Sequence, residues 1–297
     1  MEYKRKVKGD ILIGYIFILP TLILISFIVF YPLIDTFYLS LFKTSLVLPQ
    51  PKFVGWKGYW EISTSGPLWL IIKNSLIWTI LVVIFQFILG LSTAILLNKD
   101  FFGRTLARGV VILPWVMPGI IAAMVWRLMY DPQLGIINDF LTRLGLIKHY
   151  MAWLGQPNTA LFAVIIAAIW KGFPFSTVMY LAALQTVPPE LYEAAELDGA
   201  GGWQRFINIT IPQIMPVIRV TILLTWILTF NYFELVWVMT KGGPGKSSHI
   251  FPTFIYNVAF KQFRFGAASR YAVVSFLILL LFSILYIREL DKRGALD

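Results

Sequence analysis

Residues 11–31 run without one charged side chain, close to the roughly 20 residues that an α-helix needs to cross a hydrocarbon core. Inside lipid the backbone has no water to bond, so such a run must close its own hydrogen bonds as a helix. It lacks the small-residue cleavage pattern of a secretory signal and is expected to remain as a first span. Pro20 within it is tolerable, because a kink and neighbouring groups compensate for one lost donor. Apolar runs at 71–97, 109–130, 161–185, 217–239 and 271–287 extend the expectation to six spans. Charged residues make up only 13% of the chain, against roughly a quarter in soluble domains, so a membrane protein is implied.

The connections set the topology. Lys4, Arg5, Lys6 and Lys8 precede the first span, which puts the N-terminus inside and explains much of the formal charge of +10 without nucleic acid. Residues 40–66 hold Pro49, Pro51, Gly55 and Gly58 and are expected as an outer loop, with Trp56, Tyr59, Trp60 and Trp69 suited to an interfacial belt. Asn98-Lys99-Asp100, Arg104 and Arg108 mark a short basic turn inside. Residues 131–159 are polar, and Ile136, Ile137, Phe140, Leu141 and Leu144 recur at helical spacing, so a short amphipathic helix is expected on the outer surface. Residues 240–270 form the second long outer loop, and Arg288, Lys292 and Arg293 belong to an inner tail. His149 and His249 fall in outer loops and read as surface residues. Cysteine is absent, which excludes a disulfide framework, a thiolate metal site and a cysteine nucleophile.

One long polar stretch interrupts the second half, at 190–212. Pro188-Pro189 suit a first helical turn, with Glu190 and Glu193 where negative charge favours a helix N-terminus. Leu191, Ala194 and Ala195 form a small-residue stripe, and Asp198-Gly199 is the expected stop. Ala200-Gly201-Gly202 is a hinge that can take φ > 0, and 203–209 restarts a helical period before Pro212. Two short helices hold poorly alone, since about 12 to 15 residues are needed in water, so this helix–bend–helix calls for a groove in which to dock.

Glu193-Ala194-Ala195, Gly199, Ile209, Ile211 and Pro212 follow the spacing E-A-A-x3-G-x9-I-x-L-P, with Ile211 in place of Leu. The stretch resembles the cytoplasmic coupling motif of importer-type ABC permeases. Phe102-Gly103-Arg104-Thr105 with Leu113-Pro114-Trp115, Trp170-Lys171-Gly172-Phe173-Pro174 with Ala183-Leu184-Gln185, and Thr240-Lys241-Gly242-Gly243-Pro244 are similar to the carbohydrate branch, the maltose, glycerol-phosphate and multiple-sugar permeases. The resemblance covers about 11–287, and four ordered motifs are far more specific than an isolated E-A-A.

It implies an all-α integral membrane protein of six transmembrane helices, the type I ABC importer permease fold with a cytoplasmic coupling helix. Residues 1–10 would be a basic cytoplasmic N-terminus, 11–287 the permease domain with its coupling loop at 187–213, and 288–297 a cytoplasmic tail. The setting implied is a bacterial cell membrane with both termini cytoplasmic. Glu193, Ala194, Ala195, Asp198, Gly199 and Pro212 would couple to an ATPase, Glu193 pairing with a basic residue of its groove. The implied partners are a second, related permease chain, two ATP-binding subunits, an extracytoplasmic substrate-binding protein and the lipid bilayer. No cofactor is expected on this chain, since ATP and magnesium would sit on the partners.

Polar and aromatic groups within spans are costly unless they face a cavity or a partner. Trp115 lies between Pro114 and Pro118, where the helix ladder breaks, and its flat indole suits stacking on sugar C–H surfaces. The resemblance matches it to a sugar-contacting aromatic, and Gly119 to a small polar residue absent here; an interfacial tryptophan at a helix end is the plainer reading. Thr225, Thr229 and Tyr232 fall at i, i+4 and i+7 and match positions that hydrogen-bond sugar hydroxyls. A hydroxyl stripe also serves as interhelical glue, worth on the order of 0.6 kcal/mol per contact. Asn231 and Glu234 share that span, and Gly172 adjoins Lys171. Lys171 either pairs with Glu234 across the bundle or meets an anionic substrate such as a uronate or a phosphorylated polyol.

No stretch matches G-x-x-x-x-G-K-[ST], so ATP hydrolysis would come from a partner. An ion-gradient-driven secondary transporter, the alternative, wants inverted repeats and paired intramembrane carboxylates, and little beyond Glu234 is offered. An intramembrane enzyme would need catalytic carboxylate or histidine pairs, and the acidic cluster Glu190, Glu193, Glu196 and Asp198 is already explained by the coupling spacing. The reading is a non-catalytic permease subunit of an ATP-driven, binding-protein-dependent sugar importer, forming half of its path.

Overall fold

The computed structural model describes residues 15, 17–45 and 48–292. The start of the first span and the basic residues Lys4, Arg5, Lys6, Lys8 and Arg293 lie outside the described residues. Helix α1 (Phe17–Ser40) is followed by an antiparallel hairpin, β1 (Phe42–Ser45) and β2 (Leu48–Phe53), and by α2 (Lys57–Thr64). Then come α3 (Leu68–Asn98), α4 (Arg104–Val116), α5 (Gly119–Met129), α6 (Ile136–Arg143) and α7 (Ala160–Leu184). The remainder is α8 (Pro189–Leu197), α9 (Gly202–Arg205), α10 (Ile211–Phe230), α11 (Glu234–Thr240), α12 (Phe251–Tyr256) and α13 (Phe265–Lys292). Five described helical runs are long and apolar enough to cross a membrane: α1, α3, α7, the run Gly202–Thr240 and Phe265–Glu289 of α13.

The expected third span is not one straight helix. α4 and α5 meet at 95°, and counted as one broken span they bring the total to six. The cause is local: Pro118 has no N–H to bond the Pro114 carbonyl, and Met117 before it takes extended backbone, with ψ of 132°. The first and fifth of these six spans also exceed their expected limits, since α1 continues to Ser40 and the fifth span begins at Gly202. A helix need not end where the hydrocarbon does.

The chain divides into two compact units, Met1–Gly66 with Ile255–Val274, and Pro67–Phe254 with Ser275–Asp297. In the first, the stretch after α1 is a paired hairpin rather than an open loop, with Phe42 opposite Phe53 and Lys43 opposite Lys52. Arg270 is only 4% exposed and caps the end of α1: its Nε donates to Ser40 O at 2.9 Å and its Nη2 to Phe42 O at 3.0 Å. Gly58 makes room for it, because a Cβ there would overlap the guanidinium.

In the second unit α3 and α7 lie against each other through small residues. A Cβ on Gly90 would come 2.6 Å from Ser176 Cβ, and one on Gly172 would overlap the Gln86 amide. Such close approach is how helices associate where lipid removes the hydrophobic drive. Trp78, Val82, Ala123, Trp126, Val164, Leu235 and Val236 form one buried cluster among α3, α5, α7 and α11. Leu91, Ala94, Tyr180, Leu184, Ile214 and Ile218 form another among α3, α7 and α10. The short helix expected in 131–159 forms, as α6, and buried Asn138 ties it down, its Oδ1 accepting from Met151 N at 3.2 Å and Trp153 Nε1 at 2.8 Å.

His149 is exposed, whereas His249 is not the surface residue its loop suggested. It is 1% exposed, shares a hydrogen bond with Thr253 Oγ1 at 3.1 Å, and its ring fills the space beside Gly242. Asn74 Nδ2 fastens the same loop by donating to Ser247 O at 3.0 Å and His249 O at 3.1 Å. Burial, with Lys246 nearby, pushes the imidazole down to about 4. An unfolded histidine titrates near ~6.5, so between those values the open loop binds more protons and stability falls as pH drops. Amide-exchange protection over 242–253 is expected to decline as pH falls from about 6.5 towards 4, and His249→Gln should remove that dependence.

Candidate functional site

The break between α4 and α5, together with α3, α7, α10 and α11, frames an open cavity of about 250 Å³. Its lining holds Trp115, Lys171, Gly172, Thr225, Thr229 and Tyr232, so six of the residues expected along a substrate path converge here. Trp78, Gln86 and Phe175 complete its polar and aromatic surface. Trp115 is 48% exposed, with its ring 5.8 Å from that of Phe175, which gives an aromatic wall. Thr225 Oγ1 and the Tyr232 hydroxyl are buried without a hydrogen-bond partner, so each retains the capacity to bond a ligand hydroxyl.

Lys171 is committed elsewhere. Its ammonium donates to Met117 O at 2.6 Å, with Pro114 O and Trp115 O at 3.5 Å, the carbonyls that the break leaves without an intrahelical partner. The expected Lys171–Glu234 ion pair is absent, for the ion pairs among the described residues are Asp100–Arg104, Asp139–Arg143 and Glu196–Arg205. Glu234 is exposed at the start of α11, and its carboxylate lies where a side chain at position 119 would be. A Cβ on Gly119 would overlap it and approach the Tyr232 hydroxyl to 3.0 Å. Gly119 and Glu234 therefore sit beside Tyr232 without lining the cavity. Asn231 is set apart from it too: its Nδ2 donates to Ile227 O at 3.0 Å, spent on the carbonyls at the end of α10.

Three polar or aromatic lining residues were not singled out in the sequence. Gln86 had a signal, an amide in the middle of an apolar run, and it donates from Nε2 to Ala168 O at 3.0 Å. Trp78 looked like any core tryptophan, yet its Nε1 donates to Thr229 O at 2.9 Å, where α10 ends. Phe175 carries no sequence signal of its own.

The polar loop forms a second site. α8 ends in a double cap: Ala200 N–H donates to Ala195 O at 2.8 Å and Gly199 N–H to Glu196 O at 3.0 Å, around Gly199 at φ +80°. The left-handed residue is Gly199 alone, since Gly201 has φ −67° and Gly202 is helical. The segment after the bend is not a second free-standing helix. α9, capped by Gln204 Oε1 accepting from Gly201 N–H at 2.8 Å, passes through a π-turn at Phe206–Thr210 into α10, with Pro212 in its first turn. Tyr192 bonds Thr210 at 3.0 Å and Glu196 pairs with Arg205 at 2.8 Å, which fix α8 to that helix. Glu193, Ala194 and Asp198 are exposed and Ala195 is half-buried; Leu197 is 91% exposed and Trp203 72%. Glu193 enters no ion pair among the described residues.

The family model described as "Binding-protein-dependent transport system inner membrane component" matches residues 86–293. The trehalose/maltose transport system permease protein MalF of Thermococcus litoralis is 36% identical, covering 93% of this chain and 92% of that protein. The sulfoquinovosyl glycerol transport system permease protein SmoG of Agrobacterium fabrum is 33% identical, covering 96% and 92%. A solved chain of a bacterial ABC transporter involved in import of the acidic polysaccharide alginate matches with a TM-score of 0.83 and 25% identity, covering 98% of this chain and 99% of that one.

Gly199→Ala isolates the backbone cost of the bend, because a Cβ there meets nothing within 4 Å. A left-handed alanine costs about 1–2 kcal/mol, so limited proteolysis within 197–203 should quicken while the melting temperature of the whole chain holds.

Proposed function

The chain belongs to the family of binding-protein-dependent transport system inner membrane components, and from that membership we propose that it is the permease subunit of an ATP-driven sugar importer. It forms one side of the translocation path. A second, related permease chain supplies the other side, two ATP-binding subunits carry ATP and magnesium, and an extracytoplasmic binding protein delivers the sugar. The chain itself is non-catalytic and its termini are cytoplasmic. Relatives handle trehalose or maltose and sulfoquinovosyl glycerol, and the alginate importer takes an acidic polysaccharide, so a sugar or sugar derivative is the common cargo class.

The observation that carries the reading is the gathering of Trp115, Thr225, Thr229 and Tyr232 on one cavity. An exposed indole stacks on sugar C–H faces, and unpartnered hydroxyls take up sugar hydroxyls; together they recognise a ring that is apolar on its face and polar at its edge. The double-capped α8 is the ATPase contact. Its exposed Glu193 meets a basic groove residue, Ala194 and Ala195 allow close approach, and Leu197 and Trp203 give apolar area to bury. Closure of the ATPase pair would move α8, and its ties Tyr192–Thr210 and Glu196–Arg205 would pass that motion to α10, which carries Thr225 and Thr229.

Two outcomes test this. Tyr232→Phe and Thr225→Val should each raise the half-saturating sugar concentration for uptake roughly three- to tenfold, the loss of one neutral hydrogen bond, with unchanged amounts of complex in the membrane. Glu193→Lys should leave assembly detectable but abolish coupled uptake, and normal uptake by that variant would refute the coupling role.

A further inference from the structure

The break in the third span has two ends, and a charge of opposite sign stands at each. α4 stops with the carbonyls of Pro114, Trp115 and Met117 turned to the Lys171 ammonium, a cation at the negative end of a helix. α5 starts at Gly119, whose first-turn N–H groups have no intrahelical acceptor, and the Glu234 carboxylate lies beside Gly119 where a Cβ would overlap it, an anion near the positive end. The two charges come from different helices, α7 and α11, and no ion pair within 4 Å joins them, although the carboxylate is close enough for its field to reach the ammonium.

We propose that Lys171 and Glu234 are positioning residues, each acting on one helix end, that hold the α4–α5 break at its observed angle and so present Trp115 to the cavity. The role of Trp115 in this inference rests on the substrate-path reading; the clamp on the break does not. Lys171 is thereby unavailable as an anion receptor, although it is the one cation on the cavity wall. Gly119 belongs to the same device, because any side chain there would expel the Glu234 carboxylate.

A helix-end clamp and an ordinary ion pair respond differently to exchange of their charges. An ion pair tolerates exchange, whereas here a carboxylate would face carbonyl oxygens and an ammonium would face N–H groups. The chain has no cysteine, so Leu106→Cys on α4 and Leu128→Cys on α5, both exposed, accept spin labels cleanly. Pulsed electron paramagnetic resonance on the full chain in its membrane complex then reads the distance across the break, whether or not the complex transports sugar. Lys171→Met and Glu234→Gln should each widen the distribution and move its maximum. Gly119→Ser, which keeps both charges and displaces only the carboxylate, should move it the same way. Lys171→Arg, which retains donors for the carbonyls, should restore the wild-type distribution, and the double exchange Lys171→Glu with Glu234→Lys should not. A wild-type distribution in Lys171→Met and Gly119→Ser, or recovery in the double exchange, would overturn the proposal. A moved distribution with unchanged uptake would leave the clamp standing and count against the substrate-path reading of Trp115 instead.

Discussion

A backbone carbonyl left unbonded in a water-free layer costs several kcal/mol, and that penalty governs where polar residues stand in this apolar chain. At the break and at several helix ends, a long side chain from elsewhere reaches the carbonyls. Lys171 serves Pro114, Trp115 and Met117, Trp78 serves Thr229, and Arg108 serves Leu97 at 3.0 Å. In the other unit Arg270 serves Ser40 in the same manner. Of these, Lys171 looked like a candidate for anion binding when read by charge alone. Their geometry makes them the means by which irregular backbone survives.

The cavity is a consequence of those breaks. An unbroken third span would leave Trp115 on a continuous helical surface; the turn at Met117-Pro118 sets it against Phe175 and opposite α10. Glycine permits the rest, at Gly172 for the Gln86 amide and at Gly119 for the Glu234 carboxylate. On the cavity wall, the hydroxyls of Thr225 and Tyr232 are left without a hydrogen-bond partner.

Much of this was legible in the sequence, and the failures share one cause. Length and hydropathy place the spans, and the helix-then-glycine pattern of 189–199 reads correctly as a capped helix, because both depend on local chain chemistry. Hydropathy does not register a 95° bend, although Pro114 and Pro118 marked it. Charge suggested that Lys171 and Glu234 pair, but an ammonium also satisfies carbonyls, and only the fold shows which are orphaned. His249 looked solvated because its loop is polar, whereas Asn74 and Gly242 draw that loop into the protein. Pro212 looked like a stop, yet the helical run continues through it by way of the π-turn at Phe206–Thr210.

The same economy links the two sites. α8 is too short to stand alone, so it is tied to the start of the helix that bears Thr225 and Thr229, and under the proposed coupling these ties carry a movement of α8 to the cavity wall. That is an arrangement for taking energy from a partner rather than from an ion gradient. The decisive measurement is sugar uptake by the complex reconstituted in vesicles, with sugar-loaded binding protein outside, ATP inside and all ion gradients collapsed by ionophores. Continued uptake that stops when ATP is withheld is the predicted result; uptake that needs a gradient and proceeds without ATP would contradict the account.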